Sequence, residues 1–334
     1  MTVKAETMPA WRSDASGLHL EQVPVPQARL GEVLVEVEVC GVCRTDLHVV
    51  DGELPRHRRR VTPGHQVIGR VVAAGRGVTG LATGERVGVA WLHRTCGVCA
   101  YCRSGRENLC ADATFTGWDA DGGDARYLTV PAAYAYPLPD DVDPAALAPL
   151  MCAGIIGYRS LRRANLRPGG TLGIYGFGSS GHLTARLAMA EGAEVFAMTR
   201  GERNRDLARR MGLPFVGDEV AIPPKPLDAA IVFAPAGEIV PAALLATAPG
   251  GTVVLAGIHM SAIPSLDYDT TLFRERDLRS VTANTRADGE EFLRLAARLG
   301  LAAEVTEYDF DQLPRALDDL RSGRASGSLV LRAP

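Results

Sequence analysis

The sequence predicts an α/β protein of two domains, a small curled β domain bearing metal ligands and a doubly wound parallel sheet bearing a nucleotide loop. Three observations carry that reading. The 334 residues exceed what one hydrophobic core usually supports. The first third alternates apolar and polar residues and is punctuated by glycines, as short, bent strands are. After Arg167-Pro168-Gly169-Gly170 the pattern changes to apolar runs alternating with helical stretches, the signature of parallel βα units.

In chain order, Leu18 to Val39 reads as short strands and turns, with Val23-Pro24-Val25-Pro26 too proline-rich for a central strand. Glu32 to Val39 leads into Gly41-Val42-Cys43-Arg44-Thr45-Asp46-Leu47-His48, which reads as half of a metal site. Cys43 offers a thiolate, Thr45 and His48 a hydroxyl and an imidazole for moving a proton, and Asp46 a carboxylate to orient a neighbouring ligand. Gly64-His65-Gln66 offers an imidazole and Leu150-Met151-Cys152 a second thiolate. Two thiolates and one imidazole leave a tetrahedral position open, as a catalytic zinc requires. Between these segments the basic run Arg56-His57-Arg58-Arg59-Arg60 is either a solvated loop or a substrate or cofactor contact.

Val67 to Val72 and Gly84 to Val89 continue the strands. Cys96, Cys99 and Cys102, with Cys110 seven residues further on, make the strongest local signal. Four thiolates fill a tetrahedral zinc shell and fix a lobe too poor in apolar residues to hold itself. A ferredoxin-type cluster usually has proline after its last cysteine, and Ala111 stands there. Trp91 and Trp118 flank this lobe, either as walls of a pocket or as ordinary core aromatics. Tyr127 to Val130 adds a strand, and Asp140 to Leu150, with Asp143-Pro144 as N-cap and first residue, starts a helix that delivers Cys152.

Thr171 to Tyr175 is a buried strand, Gly176-Phe177-Gly178-Ser179-Ser180-Gly181 a GxGxxG loop, His182 to Glu191 a helix and Glu194 to Met198 the next strand. The order strand, loop, helix, strand is what gives the glycines meaning, since the helix N-terminus attracts a pyrophosphate. An NAD site expects an acid about 20 residues past the glycines. Thr199 occupies that place, with Arg200 and Arg203 beside it, which favours the 2′-phosphate of NADP; Glu202 argues for NAD if the loop brings it to the ribose. Asp228 to Phe233, a helix over Pro241 to Ala248, a turn at Pro249-Gly250-Gly251 and a strand from Thr252 to Ala256 fill out the sheet. Glu290 to Leu299 is an amphipathic helix, and the tail holds a helix over Leu313 to Leu320 and a strand over Ser328 to Leu331.

A net charge of −3, with no basic clustering around the four cysteines, argues against a nucleic-acid partner. Met1 to Ala15 lacks the apolar core of a signal peptide, and Ala229 to Ile258 is too broken by proline, glycine and Glu238 to span a membrane. With seven cysteines, six of them in zinc-like arrangements, a reducing cytoplasm is expected; the seventh, Cys40, ends an apolar alternation and reads as core.

Taken together in this order and at these separations, Gly41 to His48, Gly64-His65, the four-cysteine lobe, Cys152 and the glycine loop resemble the zinc-dependent alcohol dehydrogenases of the medium-chain dehydrogenase/reductase superfamily, over nearly the whole chain. The resemblance implies a GroES-like β-barrel catalytic domain over 1–152, to which 286–334 return, and a Rossmann cofactor domain over 153–285. It implies that Cys43, His65 and Cys152 hold a catalytic zinc, that Asp46 orients His65, that Thr45 and His48 relay protons to solvent, and that Trp91 and Trp118 line an apolar pocket. Two zincs per subunit, NADP or NAD, a small alcohol or carbonyl substrate and a homo-oligomer, more often a tetramer than a dimer, follow from it. Two departures stand out. Gln66 replaces the usual glutamate, which leaves a more electrophilic metal with slower ligand exchange, and Gly327-Ser328 replaces Gly-Arg, which removes a cationic pyrophosphate contact. A catalytically silent, zinc-stabilised nucleotide-binding relative is the alternative that Gln66 keeps open.

Overall fold

The computed structural model describes residues 5–325 and 327–334. The first four residues of the N-terminal stretch considered above lie outside that range. By its contacts the chain forms two compact units, one of residues 1–152, 283–291 and 302–334, the other of 153–282 and 292–301.

The chain opens with a hairpin that the sequence pattern hides, β1 (Thr7–Asp14) against β2 (Gly17–Pro24). Pro9 removes a ladder donor from β1, consistent with a two-stranded edge element. β3 (Glu32–Val42) ends where α1 (Arg44–Val50) begins, and β4 (Gln66–Ala74), β5 (Arg86–Val89), β6 (Leu92–Arg94), the single-turn α2 (Ala100–Arg103), β7 (Thr114–Phe115), β8 (Tyr127–Pro131) and β9 (Ala135–Pro137) follow. β3 pairs antiparallel with both β4 and β8, and β4 shifts register against β3 twice, between Leu34 and Val35 and between Val37 and Val39. Such irregularities curl a sheet. Val33, Val35, Val37, Val67, Val71, Val87 and Leu128 fill the interior that the curl encloses. Each fully buried valine contributes about 1.5–3 kcal/mol relative to exposure.

The helix expected over Asp140 to Leu150 is shorter and broken. α3 (Pro144–Leu147), capped by the Asp143 carboxylate on Ala145 N–H at 3.1 Å, gives way to a 3-10 turn over Ala148–Met151 that ends at Cys152. Pro149 supplies no backbone N–H, so a continuous α ladder could not run through it.

The second unit begins with α4 (Ala153–Ala164) and β10 (Thr171–Tyr175), then alternates α5 (Ser179–Ala190), β11 (Glu194–Met198), α6 (Glu202–Arg210), β12 (Phe215–Gly217), β13 (Leu227–Val232), α7 (Val240–Ala246), β14 (Thr247–Leu255), α8 (Tyr268–Thr271) and β15 (Asp277–Ser280). The strands form one parallel sheet in the order β12-β11-β10-β13-β14-β15, which reverses direction at β10, the place where doubly wound sheets bind nucleotides. Tyr175, Phe196, Met198, Ala230, Val232 and Val253 pack in its core. The expected turn at Pro249-Gly250-Gly251 is a correction: these residues lie inside β14, as the irregularity where pairing with β13 skips from Thr247 to Thr252. Paired glycines here mark a bulge and not a chain reversal.

α9 (Arg286–Leu299) starts in the first unit and, from Phe292, belongs to the second. The tail, which composition leaves unassigned, returns to the first unit. β16 (Val305–Tyr308) runs parallel to β17 (Ser328–Arg332), α10 (Leu313–Arg321) joins them, and β17 pairs antiparallel with β3, Leu331 opposite Cys40 and Leu329 opposite Val42.

Candidate active site

Cys43 sits at the junction of β3 and α1 and caps that helix. Its amide donates to Asp46 Oδ2 at 2.7 Å, so the short helix is closed by a capping box made of the residue types that carry the chemistry. Asp46 turns its other oxygen, Oδ1, to His65 Nδ1 at 3.1 Å. This fixes the proton of that imidazole on Nδ1 and leaves Nε2 facing Cys43 Sγ at 3.5 Å. Gly64 is what lets His65 arrive there. Its φ of +91° suits glycine, and a Cβ would come within 2.7 Å of Asp124 N and Cys40 Sγ. Cys152 completes the group, and the sulfur and nitrogen atoms of Cys43, His65 and Cys152 all lie within 4.8 Å of one another.

The electrostatics of this cluster call for a cation. The Cys152 thiol beside it, reinforced by burial, holds Cys43 well above the ordinary thiol range. Burial alone would push His65 down, yet Asp46 and Cys43 outweigh it and hold it well above its usual value. A divalent ion removes both tensions by binding the deprotonated sulfur and the neutral ring nitrogen, and a donor set of two sulfurs and one nitrogen suits zinc. Gln66 is buried next to His65, and its Nε2 has no hydrogen-bond partner among the described residues. Asp124, which carries no signal in the sequence, is pushed up to about 8, first by burial and then by Asp46. Cys40 is buried in the barrel core.

Trp91 meets His65 edge to face at 5.0 Å between ring centres. It stacks on Phe115 at 5.2 Å and on Trp118 at 5.9 Å, and Trp118 in turn carries His57 at 4.2 Å. Trp118 Nε1 donates to Pro55 O at 3.0 Å and His57 Nδ1 pairs with Asp119 at 2.7 Å, so the basic loop is docked on the aromatic stack. Within that loop Arg58 and Arg60 are engaged with Asp121, Asp14 and Glu21. Thr45 and His48 are buried on α1, and His48 Nδ1 pairs with Glu53, a residue the sequence pattern does not mark.

Cys96, Cys99, Cys102 and Cys110 form the second group, their sulfur atoms within 4.8 Å of one another. The backbone amides of Val98 and Cys99 draw the Cys96 thiol down to about 7, and Cys102 N–H is directed at Cys99 Sγ at 3.5 Å. All four sulfurs converge, which fits a closed structural zinc shell. Two contacts invisible in the sequence anchor the lobe. Thr95 N–H donates to Tyr134 Oη at 3.0 Å, and Glu107 receives Arg286 through both carboxylate oxygens while Arg286 lies over the Tyr134 ring at 4.8 Å.

In the second unit Gly176-Phe177-Gly178-Ser179-Ser180-Gly181 connects β10 to α5. A Cβ at Gly181 would stand 2.4 Å from Gly176 O, so glycine permits the helix to approach the strand. Around Gly178 there is open space, beside the amides of the first turn of α5, which fits a pyrophosphate. Thr199 is buried, and its hydroxyl accepts from Phe177 N at 3.1 Å, so it shapes the glycine loop itself. Arg200 is exposed and pairs with Glu219 at 3.0 Å, while Glu202 is drawn into α6 by Arg205 and Arg209. Arg203 lies in α6 beside Glu202.

Comparison with known proteins covers most of the chain. Residues 29–140 match the alcohol dehydrogenase GroES-like domain and residues 179–298 the zinc-binding dehydrogenase family. A probable alcohol dehydrogenase of Mycobacterium tuberculosis is 52% identical, over 97% of each chain. The acetophenone reductase of Geotrichum candidum, solved in complex with NAD, superposes with a TM-score of 0.90 at 27% identity, covering 99% of this chain and 98% of its own. A cinnamyl alcohol dehydrogenase of Sorghum bicolor gives 0.89 at 28% identity, over 98% of this chain and 97% of its own.

Proposed function

This chain belongs to the zinc-dependent alcohol dehydrogenases of the medium-chain dehydrogenase/reductase superfamily, NAD(P)-dependent oxidoreductases that interconvert alcohols and carbonyl compounds, and we propose that its own substrates are apolar or aromatic primary and secondary alcohols with their carbonyl partners. The observation that carries the substrate class is the packing of Trp91 against His65 and of Trp118 against Trp91, which sets a flat apolar wall beside the metal ligands. The proteins named for acetophenone and cinnamyl alcohol among the structural relatives support it.

In this reading residues 1–152 and 286–334 are the catalytic domain and 153–285 the cofactor domain, except that 283–285 group with the former and 292–301 with the latter. Cys43, His65 and Cys152 hold the catalytic zinc, and Cys96, Cys99, Cys102 and Cys110 the structural one. Zinc bound at the first site supplies Lewis acidity toward an alcohol or carbonyl oxygen, and the nicotinamide supplies the hydride acceptor or donor. Asp46 holds the His65 ring so that Nε2 keeps its lone pair for the metal. The hydroxyl of Thr45 and the imidazole of His48 carry the proton between substrate and solvent. Gly176, Gly178 and Gly181 admit the pyrophosphate, and Arg200 and Arg203 favour NADP, supported by the engagement of Glu202 within α6. The gathering of six cysteines into two ligand groups supports a reducing, cytoplasmic setting, and no helix among the described residues is long and apolar enough to cross a membrane. Tyr268 and Phe273, exposed and packed on one another, support assembly into a homo-oligomer, here proposed as a tetramer.

Steady-state oxidation of a primary alcohol series and of benzyl alcohol, with NAD and with NADP, tests this alongside zinc content. Two zincs per chain and a higher kcat/KM for benzyl alcohol than for ethanol are expected. Equal values for the two substrates would remove the aromatic wall from the account.

A further inference from the structure

The basic run Arg56 to Arg60 takes no part in the reaction described above, and the way it folds makes a site of it. Ser13 N–H donates to Val61 O at 2.8 Å and Val61 N–H returns to Ser13 O at 3.1 Å, so the loop adds one antiparallel bridge to the edge of β1. Side chains alternate across an extended chain, so the residues flanking Ser13 face those flanking Val61. Arg12 accordingly stands opposite Thr62 and donates to its hydroxyl at 3.0 Å, while Asp14 stands opposite Arg60 and accepts from its Nε at 2.8 Å. Arg58 and Arg59 come from the same loop, and with Arg12 and Arg60 they line a cleft of about 660 Å³.

Four guanidiniums here meet three carboxylates. Asp121 is shared: its Oδ1 accepts from Arg12 at 2.8 Å and from Thr62 N–H at 2.9 Å, and lies 3.3 Å from Arg58. Asp14 and Glu21 both go to Arg60. Arg59 has no ion pair among the described residues, so one positive charge is left over. Arg12 and Arg58 reach Asp121 through Nη1, which leaves Nε and Nη2 of each for another oxygen. Planar forks of this kind match the oxygens of a phosphate two at a time. The side chains of Arg58 and Arg60 are 40% and 44% exposed, and ion pairs so exposed hold weakly against a ligand of more than one charge.

We propose that this cleft binds the phosphate group of a small molecule. The excess is a single charge confined to one loop, which suits one phosphate group and not a nucleic-acid strand, whose binding sums many such contacts. The site draws on Arg12 at the edge of β1 and on residues 58–60, and shares no residue with the metal ligands or the glycine loop.

The 31P line width of inorganic phosphate, titrated with the full-length, zinc-loaded protein at an ionic strength held constant with KCl, tests it. Saturable broadening is expected. The double variant Arg58→Ala, Arg59→Ala should weaken it about tenfold for the loss of two charge-assisted donors. Asp121→Asn keeps Oδ1 as the acceptor for Thr62 N–H but removes the competing charge from Arg12 and Arg58, and should tighten binding about 2–5-fold. Parental zinc content shows that each variant has folded. The proposal stands only on both shifts. Broadening that does not saturate, or an affinity that the double variant leaves unchanged, assigns the phosphate elsewhere and overturns it. Binding that Asp121→Asn leaves equal or makes weaker overturns it as well, because the carboxylate then does not compete for these arginines.

Discussion

Replacing Glu107 by glutamine is expected to loosen the structural zinc without touching the other. Glu107 lies between Cys102 and Cys110, its side chain 8% exposed, and Arg286 reaches it by four contacts: the backbone amide at 2.8 Å, Nε at 3.0 and 3.1 Å and Nη2 at 2.7 Å. Glutamine keeps one acceptor oxygen and places an NH2 group where the guanidinium needs the other. The two contacts to Oε2 are lost and a donor then faces a donor. Charge-assisted bonds of this kind are worth about 1.5–3 kcal/mol each. Arg286 is 38% exposed, so water recovers part of the loss, and a net cost of about 2–3 kcal/mol is expected. That corresponds to roughly 30- to 150-fold in the equilibrium holding the lobe closed. Zinc transfer to a chromogenic chelator, followed in time, should show one of two zincs per chain leaving faster by about that factor while the second keeps its rate. Two release phases within twofold of the parent, with unchanged melting temperature, would refute the reasoning that this pair, and not the four thiolates alone, holds the lobe.

Gln66→Glu restores an anion beside His65 and is expected to speed ligand exchange at the catalytic metal; indistinguishable pre-steady-state traces for variant and parent would remove Gln66 from the account. Glu219→Gln releases Arg200, and because that arginine is 71% exposed the pair is worth at most about 1 kcal/mol, so KM for NADP should fall no more than about fivefold with KM for NAD unchanged; a fall shared by both cofactors would count against a 2′-phosphate contact. Trp118→Ala removes stacking on Trp91, Phe115 and His57, each contact worth about 0.5–1.5 kcal/mol. It should therefore lower kcat/KM for benzyl alcohol about tenfold more than for ethanol, and a uniform loss on both would assign Trp118 to packing only.

What the sequence makes legible follows from range. β10, the glycine loop, α5 and β11 are contiguous, so apolar runs and glycine spacing announce them together. The four cysteines within Cys96 to Cys110 are readable for the same reason. Cys152 is legible only because thiolates are scarce and the other ligands lack a partner. Nothing local announces Arg286, which meets Glu107 across 179 residues, and Glu53 looks like any loop acid until the turn at Gly52 folds it back. Pro249-Gly250-Gly251 misleads because a bulge and a turn use the same residues, and only pairing with β13 tells them apart. β1 is missed because Pro9 breaks a strand pattern that an edge position tolerates. Thr199 and Arg200 are readable in place but not in engagement, since one is spent on Phe177 N and the other on Glu219.

The pairing of β17 with β3 also sets a timetable. β3, which leads into Cys43 and pairs early with β4, gains the neighbour on its other side only when Leu329 to Arg332 have been made. At roughly 5–20 residues per second, a delay on the order of 15–60 s separates the two strands on the ribosome. Residues 153–282 are complete before then and hold a core of their own. The nucleotide-binding half can thus mature on the nascent chain while the barrel waits with an unpaired edge, its cysteines already synthesised and open to whatever metal or oxidant the cell supplies. All seven metal ligands, made by residue 152, thus precede the final strand of their sheet by more than half the chain.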